Sequence, residues 1–408
     1  MRRTPKCFLW ILALTALLAV GCGVRDKGIS APESAQEGET EALTGSPDVA
    51  QGAGVDVWDK PGEETSVPKA AEGDFFYYGY ETLQTEEERQ LYGQILTSLL
   101  ECRQETVLPA VENSLLDRIF QRVMADHPEI FYVDGYSATA YKMAGTVVKL
   151  SFSASYTMEQ EEIERRKPLL SEAVSGWLSG MDPGAGDYEK VKFLYEYLIL
   201  HTDYDMDSED SQNICSPLLG GRSVCQGYAK TLQYLCQQAG IPAMLVTGSV
   251  RGQGHAWDLL LLDGEWYYVD PTWGDASYRQ AEREAYTQDS FPAVNYDYFC
   301  VTTEQIERSH SIGPGQQLPE CTAVEDQYYR REGLYLEKAD LDAVGKIFER
   351  AGQTGERVVM FQCADDAVYQ ELYRLLITEQ KIFDYLPEQD HSTTFSDSDA
   401  QRTFTFWL

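Results

Sequence analysis

The sequence predicts an α+β protein, and three stretches carry that expectation. Residues 223–230, SVCQGYAK, open an apolar-periodic helix. Residues 255–270, HAWDLLLLDGEWYYVD, read as two strands about an Asp-Gly turn. Residues 326–408 alternate strand, helix, strand, helix and strand, as in a small α/β domain.

In chain order, the first element is an export signal. Arg2, Arg3 and Lys6 precede an apolar run from Phe8 to Val20, too short to span a bilayer comfortably. The run ends Leu18-Ala19-Val20-Gly21-Cys22, which resembles the lipobox of bacterial lipoproteins. That resemblance implies lipidation of Cys22 and a place on the outer face of the bacterial membrane; the bland alternative is an ordinary cleaved signal. Residues 23–73 are rich in Glu, Ser, Gly, Ala, Pro and Asp, and are expected to form a disordered acidic linker.

About 330 residues remain, enough for two or three cores. The formal net charge of −33 argues against nucleic acid and against electrostatic docking on anionic lipid. Of nine cysteines, seven follow Cys22, an odd number that flags a free thiol in an exported chain. None has the C-x-x-C spacing of a structural zinc site, and no cofactor is expected.

Residues 74–180 are expected to form an N-terminal accessory region. Thr85-Glu-Glu-Glu88 starts a helix running to Leu100, with acidic residues suited to the positive end of the helix dipole. A second helix covers about Ser114–Ala125, His127–Val133 looks extended, and Val148–Tyr156 alternates as a half-buried strand. Helices follow at 158–179 and 187–201, separated by Asp182-Pro183-Gly184. The central domain is placed at 181–325. The closing pieces are GLYL, a helix around Leu341–Arg350, RVVMF, a helix around Asp366–Leu386, and TFTFWL.

In the central domain, Ser223-x-x-Gln226 has the form of a capping box. Ala229, Leu232, Leu235, Cys236 and Ala239 make one apolar face, and Gly240 and Pro242 end the helix. Cys225 then lies in the first turn, where the dipole favours a thiolate and unused amides face a developing oxyanion. In the hairpin, an Asp263-Gly264 turn pairs 262 with 265, 260 with 267 and 257 with 270. His255 and Trp257 share a face, and Asp270 is diagonal to His255 on it. Asp258 points to the other face.

These residues resemble the transglutaminase-like superfamily, a branch of the papain-like cysteine enzymes. The matching blocks are Val224-Cys225-Gln-Gly-Tyr-Ala229, Gly240-Ile-Pro242, His255-Ala-Trp257-Asp258 and Asp270-Pro-Thr-Trp273, over about residues 185–280. Tyr204-Asp205 resembles the Tyr-Asp that follows the preceding helix in this group. The resemblance implies a papain/transglutaminase-like core, a helix packed on an antiparallel sheet, with a Cys225–His255–Asp270 triad. Such a triad acts on amide bonds of protein or peptide through a thioester, resolved by an amine or by water. It also implies a side-chain oxyanion donor, for which Gln226, Tyr204 and Gln212 are candidates. One departure is Asp258, where asparagine is commoner; its outward face leaves the site intact.

Simpler readings stand beside these. A buried thiol is the default for any cysteine, and Cys236 and Cys215 are read that way. Trp257 and Trp273, with Tyr228, either line a substrate cleft or fill the core. His127, His201, His310 and His391 have no carboxylate or cysteine at ligand spacing and are taken as structural or surface residues. The competing function is a non-catalytic surface binding or scaffold module on the same fold.

Overall fold

The computed structural model describes residues 76–143, 146–276, 278, 292–386 and 393–408. The export signal, Cys22, the acidic linker and His391 lie outside the described residues.

The N-terminal region comprises α1 (Tyr78–Glu81), α2 (Glu86–Leu100), β1 (Thr106–Pro109), α3 (Asn113–Asp126), β2 (Val133–Met143), β3 (Thr146–Tyr156), α4 (Gln160–Leu178) and α5 (Asp187–Leu200). Thr85 caps α2 in a reciprocal box: its hydroxyl accepts from Glu88 N at 3.2 Å, and the Glu88 carboxylate accepts from Thr85 N at 3.2 Å. The three strands form an antiparallel sheet in the order β1-β3-β2. Residues 127–132 are turns rather than extended chain, with Ile130 N bonded to His127 O. The long partner of β3 starts only at Val133. Its residues are largely small or polar, DGYSATAYK, so hydrophobic alternation gave it no signal.

The central region comprises β4 (Asp203–Tyr204), β5 (Arg222–Ser223), α6 (Cys225–Gln238), β6 (Ala243–Val250), β7 (Gln253–Leu262), β8 (Glu265–Val269), α7 (Pro271–Gly274), α8 (Thr303–Ile306) and β9 (His310–Ile312). Strands β6 to β9 form an antiparallel sheet in the order β8-β7-β6-β9. The sheet sorts its side chains by alternation. Leu260, Leu262, Tyr267 and Val269 join Leu232, Leu235 and Cys236 of α6 in one core. Trp257, Leu259 and Tyr268 join Val246, Tyr298 and Ile306 in another.

The first of these cores also contains Leu91, Ile95, Phe120 and Phe152 of the N-terminal region. A change of sequence pattern near residue 180 therefore does not mark a division of the hydrophobic interior. Side chains from α6 reach the same region: Gln233 Nε2 donates to Ala125 O at 2.6 Å and Gln237 Nε2 to Asp126 O at 3.0 Å.

The C-terminal region has its own core, built on Val344, Phe348, Phe361, Phe404 and Phe406. It contains α9 (Tyr328–Arg331), β10 (Tyr335–Leu336), α10 (Leu341–Thr354), β11 (Val358–Cys363), α11 (Asp366–Tyr373), β12 (Thr394–Ser398) and β13 (Thr403–Trp407). Its sheet runs β10-β11-β13-β12, with β10 parallel to β11 and the other pairs antiparallel. The helix expected over 366–386 is shorter. It passes into a π turn at Arg374–Thr378 and is broken at Gln380, whose φ of 60° is left-handed. Among the described residues, no helix is long and apolar enough to cross a membrane.

Candidate active site

Cys225 is the first residue of α6. The capping box expected before it does not form. Val224 is the N-cap, without a side-chain bond, and the Ser223 hydroxyl donates instead to Ser211 O at 2.9 Å. An amide at the first or second helical position has no carbonyl one turn back, and no cap takes up those of Cys225 and Gln226. They are the backbone donors available beside the sulfur. Gly227 fits where a Cβ would lie 2.6 Å from Ser211 O. The loop before the helix thus presses against the turn that carries Cys225.

The β7–β8 hairpin has the register its Asp-Gly turn demands: Leu262 opposite Glu265, Leu260 opposite Tyr267, Asp258 opposite Val269. Asp263 and Gly264 have φ of 48° and 90°, both positive as a type I′ turn requires. His255, paired across the sheet with Gly248, and Asp270, which follows β8, meet with His255 Nε2 2.7 Å from Asp270 Oδ2. The other oxygen of Asp270 caps α7, accepting from Trp273 N at 3.1 Å.

The remaining ring nitrogen of His255 is Nδ1, and the Cys225 thiol lies near enough to this imidazole to help raise its pKa. Burial alone would strip the proton from His255. The charge and hydrogen bond of Asp270, joined by Cys225, outweigh it and push the pKa up to about 10. Burial would likewise raise Asp270, yet the charge and bond of His255, with those of His310, hold its carboxyl well below the usual carboxylate range. A fully buried carboxylate therefore faces an imidazolium that faces a sulfur. That order is the one needed to stabilise negative charge on the sulfur and to carry a proton to a leaving group.

Seven cysteines are described and all are free thiols. Six are buried, and Cys225 alone among them is partly exposed. Burial pushes Cys215 up to about 11, Cys321 and Cys363 up to about 12, and Cys236 and Cys300 well above the ordinary thiol value.

Other expected residues fall elsewhere. Trp257 and Tyr228 are both 0 % exposed, so they fill the interior and do not line a cleft. The Tyr228 hydroxyl donates to Thr202 O at 2.7 Å and meets the Asp275 carboxylate. Trp273 is half-buried, its ring 6.3 Å from that of His255 and within cation–π reach of Arg251. Tyr204 pairs with Ser223 through β4 and β5, and stacks edge-on with Tyr278. Gln226 and Gln212 are half-buried, one in the first turn of α6 and one in the loop before it.

Asp258 is likewise not on an open face. It lies on the far face of β7, but that face is packed against α6, and the residue is 0 % exposed. Neither of its oxygens has a hydrogen-bond partner among the described residues. Burial, and then the charge of Asp270, raise its pKa well above the ordinary carboxyl value. That shift favours the neutral acid, which is close in shape to an asparagine side chain.

His310 is the residue that sequence reasoning missed. Its Nε2 is 3.0 Å from Asp270 Oδ2, the oxygen already held by His255. It lies forty positions after Asp270 and arrives through the pairing of β9 with β6, a non-local contact without a spacing signal. His127 also has a carboxylate partner, Glu129, at 2.8 Å from Nδ1, and His201 Nδ1 lies 2.8 Å from Tyr197 O. His255, Asp270 and His310 bring one ligand atom each within 4.8 Å of one another. Both imidazoles direct Nε2 at a single carboxylate oxygen, however, which is the geometry of shared hydrogen bonding.

Helix, hairpin and buried His–Asp pair define a transglutaminase-like domain. Residues 178–271 match the sequence profile of the transglutaminase-like superfamily. It is similar to kyphoscoliosis peptidase of Mus musculus, 30% identical over 125 residues, covering 26% of this chain and 18% of that protein. The Homo sapiens protein of that name is 30% identical over 105 residues, covering 22% of this chain and 16% of its own. The chain thus spans under a fifth of the length of these relatives. A TGase crystal structure aligns over 34% of this chain and 45% of its own, at 17% identity and a TM-score of 0.24.

Proposed function

We propose that the chain is a cysteine acyltransferase or hydrolase acting on amide bonds of protein or peptide substrates, with Cys225 as nucleophile. The observation that carries this reading is the buried His255–Asp270 pair, Nε2 to Oδ2 at 2.7 Å, with the partly exposed Cys225 at the head of α6 acting on the same imidazole. The thiolate attacks the amide carbon, and the first amides of α6 take the developing oxyanion. Collapse breaks the C–N bond as His255 Nδ1 gives its proton to the departing amine, leaving a thioester on Cys225. His255 then takes a proton from water or from an acceptor amine as that group attacks the thioester. The C–S bond breaks and the thiolate returns. Water gives deamidation or peptide cleavage; an amine gives a cross-link. The name peptidase on two relatives supports the hydrolytic branch.

The same proposal sets the protein at the outer face of a bacterial membrane through a lipid on Cys22, with substrates in the cell envelope and none of nucleic acid. The sequence around Cys22 supports the anchor, and the net charge of −33 supports the exclusion of nucleic acid.

The test is incubation of the full-length chain with a glutamine-peptide library, with and without a labelled amine, followed by intact-mass analysis. An acyl adduct on Cys225, lost in Cys225→Ala together with product, is expected. Absence of any adduct, with Cys225→Ala unchanged in peptide turnover and in cellular phenotype, would instead indicate a binding module.

A further inference from the structure

We infer that His310 is a positioning residue for the Cys225–His255 couple: it fixes the Asp270 carboxylate and limits how strongly that carboxylate holds the His255 proton. The inference rests on the triad reading above.

Asp270 has three donors. Trp273 N reaches Oδ1 at 3.1 Å, while His255 Nε2 at 2.7 Å and His310 Nε2 at 3.0 Å both reach Oδ2. Asp270 is anionic, so both imidazoles present N–H to it. That fixes the His310 tautomer. Its Nδ1 is left to accept from Ser309 Oγ at 2.8 Å, and Ser309 Oγ lies 2.9 Å from the Tyr298 hydroxyl. A single chain of hydrogen bonds thus runs Tyr298, Ser309, His310, Asp270, His255.

The ring of His310 cannot turn away. It is 2% exposed, with ring centroids of Trp257 at 4.9 Å, Trp273 at 5.0 Å and Tyr298 at 5.1 Å. Burial pushes its pKa down against the upward pull of Asp270, so it serves as a neutral donor. A histidine needed only for packing has no reason to place its N–H on the oxygen that orients the catalytic base.

The physical effect is a division of one acceptor between two donors. Each hydrogen bond to the charged form stabilises the carboxylate and weakens it as a base toward the other donor. Without His310, the Oδ2 lone pair it holds is left bare in a buried site, and the carboxylate grips the His255 proton more tightly. Proton transfer to the departing amine is then harder. The groups facing this couple are Cys225 from α6, Asp270 after β8 and His310 from β9. Two more lie in the charge field of Asp270: Asp258, neutral by burial, and Tyr298, raised to about 12.

The experiment is the pH profile of Cys225 alkylation by iodoacetamide in the full-length chain, read by peptide mass spectrometry, for wild type, His310→Phe and His310→Gln. Phenylalanine keeps bulk without a donor; glutamine restores an N–H. In His310→Phe the alkaline step set by His255 is expected to move to higher pH. Turnover of a glutamine peptide should fall about tenfold to a hundredfold in kcat with KM unchanged, the effect of one lost bond to a charged group. His310→Gln should recover most of both. An alkaline step that stays or moves down in His310→Phe overturns the inference, as does a glutamine variant no better than phenylalanine. Should His310→Phe fail to fold, Ser309→Ala weakens the same donor and should shift the step in the same direction. If wild-type Cys225 alkylates no faster than the buried thiols, the triad reading fails and this inference with it.

Discussion

Ser223 and Ser211 are joined at 2.9 Å, hydroxyl to carbonyl, and this bond replaces the helix cap that the sequence suggested. It ties the loop before α6 to the residue two positions before the nucleophile. Gly227 closes the same junction: a Cβ there would lie 2.0 Å from Ser223 Oγ and 2.6 Å from Ser211 O. Gly227→Ala is therefore expected to cost about 1–3 kcal/mol through overpacking. Alkylation of Cys225 should slow in parallel. Urea unfolding and thiol labelling check both; a stable variant with normal labelling contradicts the close packing.

Thiol accessibility gives a second expectation. Cys102, Cys215, Cys236, Cys300, Cys321 and Cys363 are buried, and Cys225 is not. Iodoacetamide should label Cys225 first, with the other six following only on unfolding. Comparable labelling of all seven under native conditions would count heavily against a special role for Cys225.

The His255–Asp270 pair sets a pH window for stability. His255 is raised in the folded state to about 10, from about 6.5 unfolded, so its contribution is complete below about pH 6.5 and is lost as pH rises through about 10. Asp270 is lowered, so its contribution is complete above about pH 4 and is lost as the solution is acidified further. The stability difference between wild type and Asp270→Asn should be largest between about pH 4 and 6.5 and shrink toward pH 10. Denaturant midpoints at several pH values test this, and a pH-independent difference would contradict it.

Asp258 acts with the opposite sign for a carboxyl. Its folded pKa is raised, so the folded state holds a proton that the unfolded chain releases above about pH 4. Wild type loses stability relative to Asp258→Asn by up to about 1.4 kcal/mol per pH unit above that point, until the buried acid ionises. Urea unfolding at pH 5 and pH 8 should show the asparagine variant gaining on wild type. Equal offsets at both pH values would mean that Asp258 is not a buried neutral acid.

Much of this architecture was legible locally. The Asp263-Gly264 dipeptide specified the hairpin register through Leu262 and Glu265, and alternation then put His255 and Asp270 on one face. Thr85 and Glu88 announced α2 in the same local way. What could not be read depended on contacts distant in sequence. Ser223 had a competing acceptor in Ser211, twelve positions earlier, that no spacing rule contains. Asp258 was expected outward because alternation gives the face of a strand, and whether a helix covers that face is a tertiary fact. Trp257 and Tyr228 were open between cleft and core for the same reason, and His310 arrives through β9, three residues long.

The bonds from Gln233 and Gln237 to the carbonyls of Ala125 and Asp126 have a practical corollary. Asp126 in turn accepts from Gly79 N and Tyr80 N, both at 2.9 Å. A continuous girder thus links the start of the described chain to the flank of the helix that bears Cys225. Trimming the protein to the recognisable signature alone would saw through that girder and leave two glutamines and a large apolar flank facing solvent. A truncation meant to keep these contacts should start upstream of Gly79.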